Sequence, residues 1–227
     1  MLNNSDGLSP DDAADDEALA VATSPVEDLA LRLPGQNVSE KAEELRRAEP
    51  VRSAVRRILG VTAGDGTYRK GGKGEILVGK RLAKLNEEWK VLHSIPVGVQ
   101  GTDIDHLVIR PGGVFSLNTK NHSGQLVWVH THAFKVNGFS HQDYLRASRA
   151  EARKASRLLG AASGIPIEVK GVIVVIADRL DIKGMPPETP VVARKRIGDW
   201  LTSQPEHLDR LQIGTIFAAA RQLDTWR

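Results

Sequence analysis

The chain of 227 residues contains no cysteine. Disulfide bonds, thiolate metal sites and cysteine nucleophiles are therefore excluded, and a reducing compartment is compatible with the sequence. Long apolar runs are also missing, because no stretch approaches the roughly 20 residues that a membrane-spanning helix requires. The first residues are acidic where a secretory signal carries basic ones. These absences predict a soluble, cytoplasmic protein, and its 41% hydrophobic content suits one globular domain with extensions.

The modest net charge of +3 hides an uneven distribution. Residues 1–30 hold eight acids and no Lys or Arg, so the remainder of the chain carries +11. A body this basic favours polyanionic partners, of which nucleic acid is the commonest. A soluble surface that happens to be basic is the alternative.

The stretch from Gly101 to Ser123 concentrates polar side chains within apolar surroundings. Two apolar runs, 104–109 and 114–117, flank the turn-forming sequence Arg-Pro-Gly-Gly at 110–113, which predicts a β-hairpin of buried strands. Side chains alternate faces along a strand, so Asp103 and Asp105 share one face of the first strand. On the second strand a common face is shared by Ser116, Asn118 and Lys120.

The flanking segments predict an alternation of helices and strands. Apolar spacing and turn signals predict the following elements: helices at 39–60, 74–86 and 142–159, strands at 91–97, 126–130, 133–136 and 168–177, a loop at 178–190, a strand at 190–193, and helices at 197–202 and 206–226. The acidic segment 1–38 is predicted to be disordered. The glycine-rich basic segment 64–74 is predicted to be a loop.

Basic residues mark two candidate nucleic-acid contacts. Arg146, Arg149, Arg153 and Arg157 recur along one face of the predicted helix at 142–159, a spacing suited to successive phosphates. Lys70 and Lys73, in the glycine-rich segment, can approach a phosphate backbone. The alternative is that the arginines form the solvated side of the helix.

Short motifs in this order resemble the PD-(D/E)xK nuclease superfamily, and specifically the nuclease-related domain, NERD. They cover roughly residues 73–177 and are Gly74-Glu75, Trp89-Lys90-Val91-Leu92-His93, Asp103-Ile104-Asp105-His106, Gly113-Val114-Phe115 and Thr119-Lys120-Asn121. One position departs from the family signature, which has an acid two residues before the lysine. Here that position holds Asn118.

The resemblance implies an α/β fold with a restriction-endonuclease-like core of α-β-β-β-α-β order and a mixed central sheet flanked by helices. This core would occupy residues 73–177, after a disordered tail at 1–38 and a helical extension with the basic loop at 39–72. Residues 178–227 would add a strand and helices packed on the core.

The resemblance also implies a Mg²⁺- or Mn²⁺-dependent nuclease acting on nucleic acid, with DNA as the expected substrate. Asp105 would be the main metal ligand, assisted by Glu75, Asn118 and the backbone carbonyl of Thr119. Lys120 would act on the attacking water. Glu75 can instead simply complement the helix N-terminus.

Asn118 leaves three outcomes open. The protein can be an active nuclease that uses Glu75 in place of the missing acid, or a slow or conditional nuclease. It can also be a non-catalytic nucleic-acid-binding or regulatory module. A purely structural role of the polar residues at the strand ends is a further alternative.

Overall fold

The computed structural model describes residues 27–40, 43, 63–97 and 102–227. Most of the predicted helix at 39–60 and the tail at 1–26 lie outside this part of the chain. The helices and strands are, in chain order, α1 (Ala63–Leu82), β1 (Lys90–Val97), β2 (Thr102–Arg110), β3 (Gly113–His130), β4 (Ala133–Val136), β5 (Phe139–Ser140), α2 (Gln142–Ser163), β6 (Val169–Ile182), β7 (Val191–Ala193), α3 (Ile197–Thr202) and α4 (Arg210–Ala220).

Within the described residues the strands form one seven-stranded mixed sheet. β1, β2 and β3 pair antiparallel in sequence order, and the predicted hairpin turns at Pro111–Gly112 between Arg110 and Gly113. β6 returns parallel to β3 after the crossover helix α2. The predicted mixed α/β core with the order α-β-β-β-α-β is therefore confirmed, and β4 with β5 extends it as a further hairpin.

The sheet is covered on both faces by helices. On one face Val78 of α1 joins an apolar cluster with Val172 and Val174 of β6. On the other face, Leu145 of α2 packs with Ile173. Neighbouring residues of β6 therefore point to opposite faces of the sheet. Both faces are buried, which explains the unbroken apolar sequence of this strand.

The predicted loop at 64–74 is wrong, because these residues belong to α1. Glycine lowers helix propensity and therefore indicated a loop, but here it allows a helix to approach the sheet closely. A Cβ on Gly74 would lie 2.9 Å from the Cβ of Asn121 in β3, and Gly79 packs still more tightly against Pro34. The same helix ends at Leu82, four residues before the predicted end.

Two C-terminal elements also differ from the prediction. β6 continues to Ile182 through residues predicted as a loop, because its second half pairs with the second half of β3. The last predicted helix divides into α4 and a 3₁₀ helix at Leu223–Trp226. Along α4, Leu211 is 80% exposed, while Ile213 and Ile216 are buried. α4 is apolar on most sides, so its period alone does not identify the inward face.

The predicted disordered tail at 1–38 extends too far, because residues 27–38 are part of the described structure. Leu29 is fully buried in the core cluster that includes Trp226, and Asp28 forms an ion pair with Arg221. This segment is therefore part of the folded domain. In the described part of the chain, no helix has the length and apolar character needed to cross a membrane.

Candidate functional site

The candidate site lies where β2 and β3 separate. Their ladder pairs Leu107 with Ser116 and ends at His106 and Leu117. Beyond this point a side chain replaces the backbone as hydrogen-bond acceptor. The backbone N–H of Thr119 donates to Oδ2 of Asp105, the next residue of β2, at 2.6 Å. Because paired residues point to the same face, the faces of Asp105, Ser116 and Asn118 coincide, as the sequence pattern requires.

Asp105 is surrounded by groups that act on its charge in opposite directions. Burial, together with the negative charge of Asp103, raises the pKa of Asp105 to about 6. The hydrogen bond from Thr119 and the positive charge of Lys120 oppose this rise. The carboxylate is thus held beside a cation and is only partly stabilised in its ionised form.

Glu75 reaches the same charge environment from the opposite layer. It is 8% exposed on α1, next to Gly74, which packs against Thr119 and Asn121 in the middle of β3. Burial, together with the negative charges of Asp105 and Asp103, raises the pKa of Glu75 to about 8. Glu75 is therefore not simply a solvent-exposed acid at a helix terminus.

Glu151 is a member of the site that the sequence motifs do not identify. Asn118 donates a hydrogen bond from its Nδ2 to Glu151 Oε2 at 3.2 Å, from β3 to α2. Burial and the negative charge of Asp105 together raise the pKa of Glu151 to about 8. One signal was available in the sequence: Glu151 is the only acid in α2 after Asp143, and it lies beside the buried Ala152.

Lys120 is flanked by aromatic side chains. Its Nζ lies 4.7 Å from the centre of the Tyr144 ring, within the range of a cation–π contact. The rings of His141 and His122 stack on Tyr144 at centroid distances of 4.9 and 5.8 Å. Tyr144 and Glu151 are seven residues apart, about two helical turns, so both project from the same side of α2.

The donor set suits a hard divalent cation, but the ligands are not gathered into a finished coordination shell. Among the described residues, no three His, Asp or Glu side chains lie close enough together to hold a metal ion. Two buried oxygens, Asn118 Oδ1 and Glu151 Oε1, have no hydrogen-bond partner in the described structure. The N–H and the carbonyl of a strand residue point to the same neighbouring strand. Because the N–H of Thr119 points toward Asp105 of β2, its carbonyl also points toward β2. Carboxylate, amide and backbone oxygens are the ligands that Mg²⁺ accepts.

The candidate nucleic-acid contacts divide into two groups. Lys70 of α1 lies beside the middle of β3, where its Nζ donates to the carbonyl of Ser123 at 3.2 Å, and Lys73 is exposed on the same helix. The arginines of α2 lie elsewhere. At 3.6 residues per turn, they are between about 120° and 160° around the helix axis from Glu151. The members of this stripe are Arg146, Arg149, Arg153 and Arg157.

The arginine stripe is therefore on the flank of α2 that faces away from the acids. Arg146, Arg153 and Arg157 are exposed, whereas Arg149 forms an ion pair with Glu188 at 3.1 Å. The structure brings together Glu75, Asp105, Asn118, Thr119 and Lys120, and separates them from the arginines.

Comparison with known proteins agrees with this architecture. Residues 70–176 match the nuclease-related domain. This segment, a little under half of the chain, is a nuclease-related (NERD) domain. The NERD segment begins within α1 and ends in β6, so it contains every residue of the acidic site, and the family has its general place in the PD-(D/E)xK superfamily.

An uncharacterized protein of Bacillus anthracis is 42% identical over 65 residues. That alignment covers 27% of this chain and 29% of the relative, so the similarity extends over less than a third of either protein. No solved structure matches the chain.

Proposed function

We propose that this NERD protein is a metal-dependent nuclease that hydrolyses phosphodiester bonds in nucleic acid, with DNA as the expected substrate. The observation that carries the proposal is the hydrogen bond from Asn118 to Glu151. It brings a carboxylate from α2 to the strand position where the family signature has an acid. The site then has three carboxylates around one lysine.

The charges of these groups support the assignment. The negative charge of Asp105 raises the pKa of both Glu75 and Glu151. Asp105 thus repels one buried acid, Glu75, and one partly buried acid, Glu151, and a cation beside them would relieve this repulsion. Asp105, Glu75, Glu151, Asn118 Oδ1 and the Thr119 carbonyl would hold Mg²⁺ or Mn²⁺. The bound ion would neutralise charge on the phosphate and lower the pKa of a coordinated water.

Lys120 has the role of acting on the attacking water and on the phosphate. Its ammonium group can donate hydrogen bonds to a non-bridging phosphate oxygen and to the water, and it offsets the negative charge that develops during attack. The ring of Tyr144 limits the directions that this flexible side chain can adopt. Lys70, on the α1 side of the site, lies where a nucleic-acid backbone could be contacted.

The test is a cleavage assay with single- and double-stranded DNA and RNA, with Mg²⁺, with Mn²⁺ and with a chelator. Wild-type protein is expected to cleave at least one substrate in the presence of metal, and Asp105→Asn and Lys120→Ala are expected to abolish cleavage. Glu88→Gln is a matched control, because Glu88 is an exposed acid in the turn before β1. Cleavage that survives both site substitutions would contradict the assignment.

A non-catalytic nucleic-acid-binding module is the second candidate. Asn118 brings no charge, and the described residues contain no ready-made cluster of three metal-binding side chains, which favours this alternative. It predicts binding that weakens steeply with added salt, without metal-dependent cleavage. Measuring binding and cleavage on the same substrates separates the two functions.

A further inference from the structure

On the other flank of α2 lies a cavity that the proposed active site does not use. It encloses about 270 Å³ between α2, the turn joining β3 to β4, and the loop joining β6 to β7. We propose that this cavity binds the phosphate group of a nucleotide. The proposal does not depend on cleavage, since none of the acids of the active site lines the cavity.

Two guanidinium groups give the cavity its preference for anions. Arg146 and Arg149 both line it from α2. Glu188 lies on the opposite wall, where it accepts a hydrogen bond from Arg149 Nη1 at 3.1 Å. This carboxylate offsets one of the two positive charges and leaves a net positive site. Glu188 is largely exposed, so a phosphate can take its place on Arg149 without leaving a buried charge unpaired.

A buried hydroxyl supports the same ligand. Thr189 lines the cavity and is 1% exposed, yet its Oγ1 has no hydrogen-bond partner in the described structure. A buried hydroxyl without a partner costs free energy, and a phosphate oxygen would supply the missing acceptor.

The first turn of α2 contributes further donors. Gln142 begins the helix and also lines the cavity, and the side chain of the N-cap residue His141 makes no capping hydrogen bond. Unpaired N–H groups at a helix N-terminus favour an anion. The exposed carboxylate of Asp143 in the same turn is not among the lining residues.

The remaining walls suit a nucleotide better than a bare ion. Leu145 forms an apolar surface opposite Pro186 and Pro187, whose rings restrict the loop conformation. The volume is close to the lower end of the range for small-molecule sites, roughly 300 Å³. A sugar or base can pack on this apolar surface while the phosphate meets the arginines and Thr189.

The test is a titration of metal-free protein with a nucleoside 5′-monophosphate and with inorganic phosphate. Thr189→Val and Arg146→Gln are each expected to weaken nucleotide binding about tenfold, because each removes a hydrogen bond to a charged group. Arg157→Gln is the control, since it removes the same charge from an exposed position of the same helix outside the cavity. Thr189→Val removes a hydroxyl that has no partner, so the melting temperature should not fall, which excludes misfolding as the cause of weaker binding.

Two oligonucleotides, identical except for a 5′-phosphate or a 5′-hydroxyl end, identify the source of the ligand. If the phosphorylated strand binds more tightly and added nucleotide displaces it, the ligand of the cavity is the 5′-phosphate end of a strand. Nucleotide binding that neither oligonucleotide displaces would identify a free nucleotide. The proposal is overturned if neither phosphate probe binds, or if Arg157→Gln weakens binding as much as Arg146→Gln does. These outcomes are independent of whether the protein cleaves nucleic acid.

Discussion

Replacing Glu151 by Gln should stabilise the metal-free protein at alkaline pH while removing its activity. The substitution preserves the shape of the side chain and an oxygen that accepts the hydrogen bond from Asn118, but it removes the ionisable group. Burial raises the pKa of Glu151 from its usual 4.5 to about 8. The folded protein therefore holds this proton more tightly than the unfolded chain does.

The size of the effect follows from this difference in pKa. The difference between pKa values of 4.5 and about 8, at about 1.36 kcal/mol for each pKa unit, gives an upper limit of about 5 kcal/mol. The raised pKa belongs to an acid, so its stabilising contribution is complete below about pH 4.5. It is lost progressively as the pH rises to about 8. Allowing for water entry and side-chain relaxation, we expect about 2 kcal/mol at pH 8, or about 4–8 °C in the melting temperature of a domain of this size.

Thermal and denaturant unfolding between pH 4.5 and 8.5 measure this prediction. The free energy of unfolding should fall with pH more steeply for wild type than for Glu151→Gln, with Glu88→Gln behaving as wild type. Mg²⁺ should restore part of the lost stability of wild type at pH 8, because a cation offsets the ionised carboxylate. A Gln variant that gains no stability at pH 8, or that cleaves nucleic acid as wild type does, would refute the reasoning.

Two further substitutions test the geometry of the site. Adding Asn118→Glu to the Glu151→Gln variant should restore cleavage, because it returns a carboxylate to the same region from β3. A double variant as inactive as Glu151→Gln would show that Glu151 acts in another way. Tyr144→Phe should preserve the rate, whereas Tyr144→Leu should lower kcat about tenfold with little change in KM, since only the second change removes the ring face beside Lys120. Equal rates for the two Tyr144 variants would exclude the ring from positioning the lysine.

Hydrophobic periodicity predicted the parts of the fold where burial is one-sided and regular. The residues that α2 buries recur at alternating spacings of three and four, as helical periodicity requires: Leu145, Ser148, Ala152, Ala155 and Leu159. The hairpin of β2 and β3 was equally evident, because apolar runs flank a turn sequence. These are local signals, and each depends on only a few neighbouring residues.

The errors arose where a residue's role depends on a distant segment. Gly74, at the end of the predicted loop, lies within a helix, and the side chain that requires its small size is that of Asn121 in β3. β6 extends beyond its apolar run because the long second half of β3 offers a pairing partner. Neither contact leaves a trace in the local sequence.

Glu151 illustrates the same limit for the site. A sequence motif records the spacing of residues along one strand, whereas a cation requires only that oxygens converge in space. Asn118 breaks the motif at its strand position, yet its amide is hydrogen-bonded to a carboxylate delivered by the crossover helix. A carboxylate on another element thus lies 3.2 Å from Asn118, and we propose that it takes the place of the acid that the motif lacks. A candidate site of this kind is better judged by the charge that reaches the middle of β3 than by the residue types within the strand.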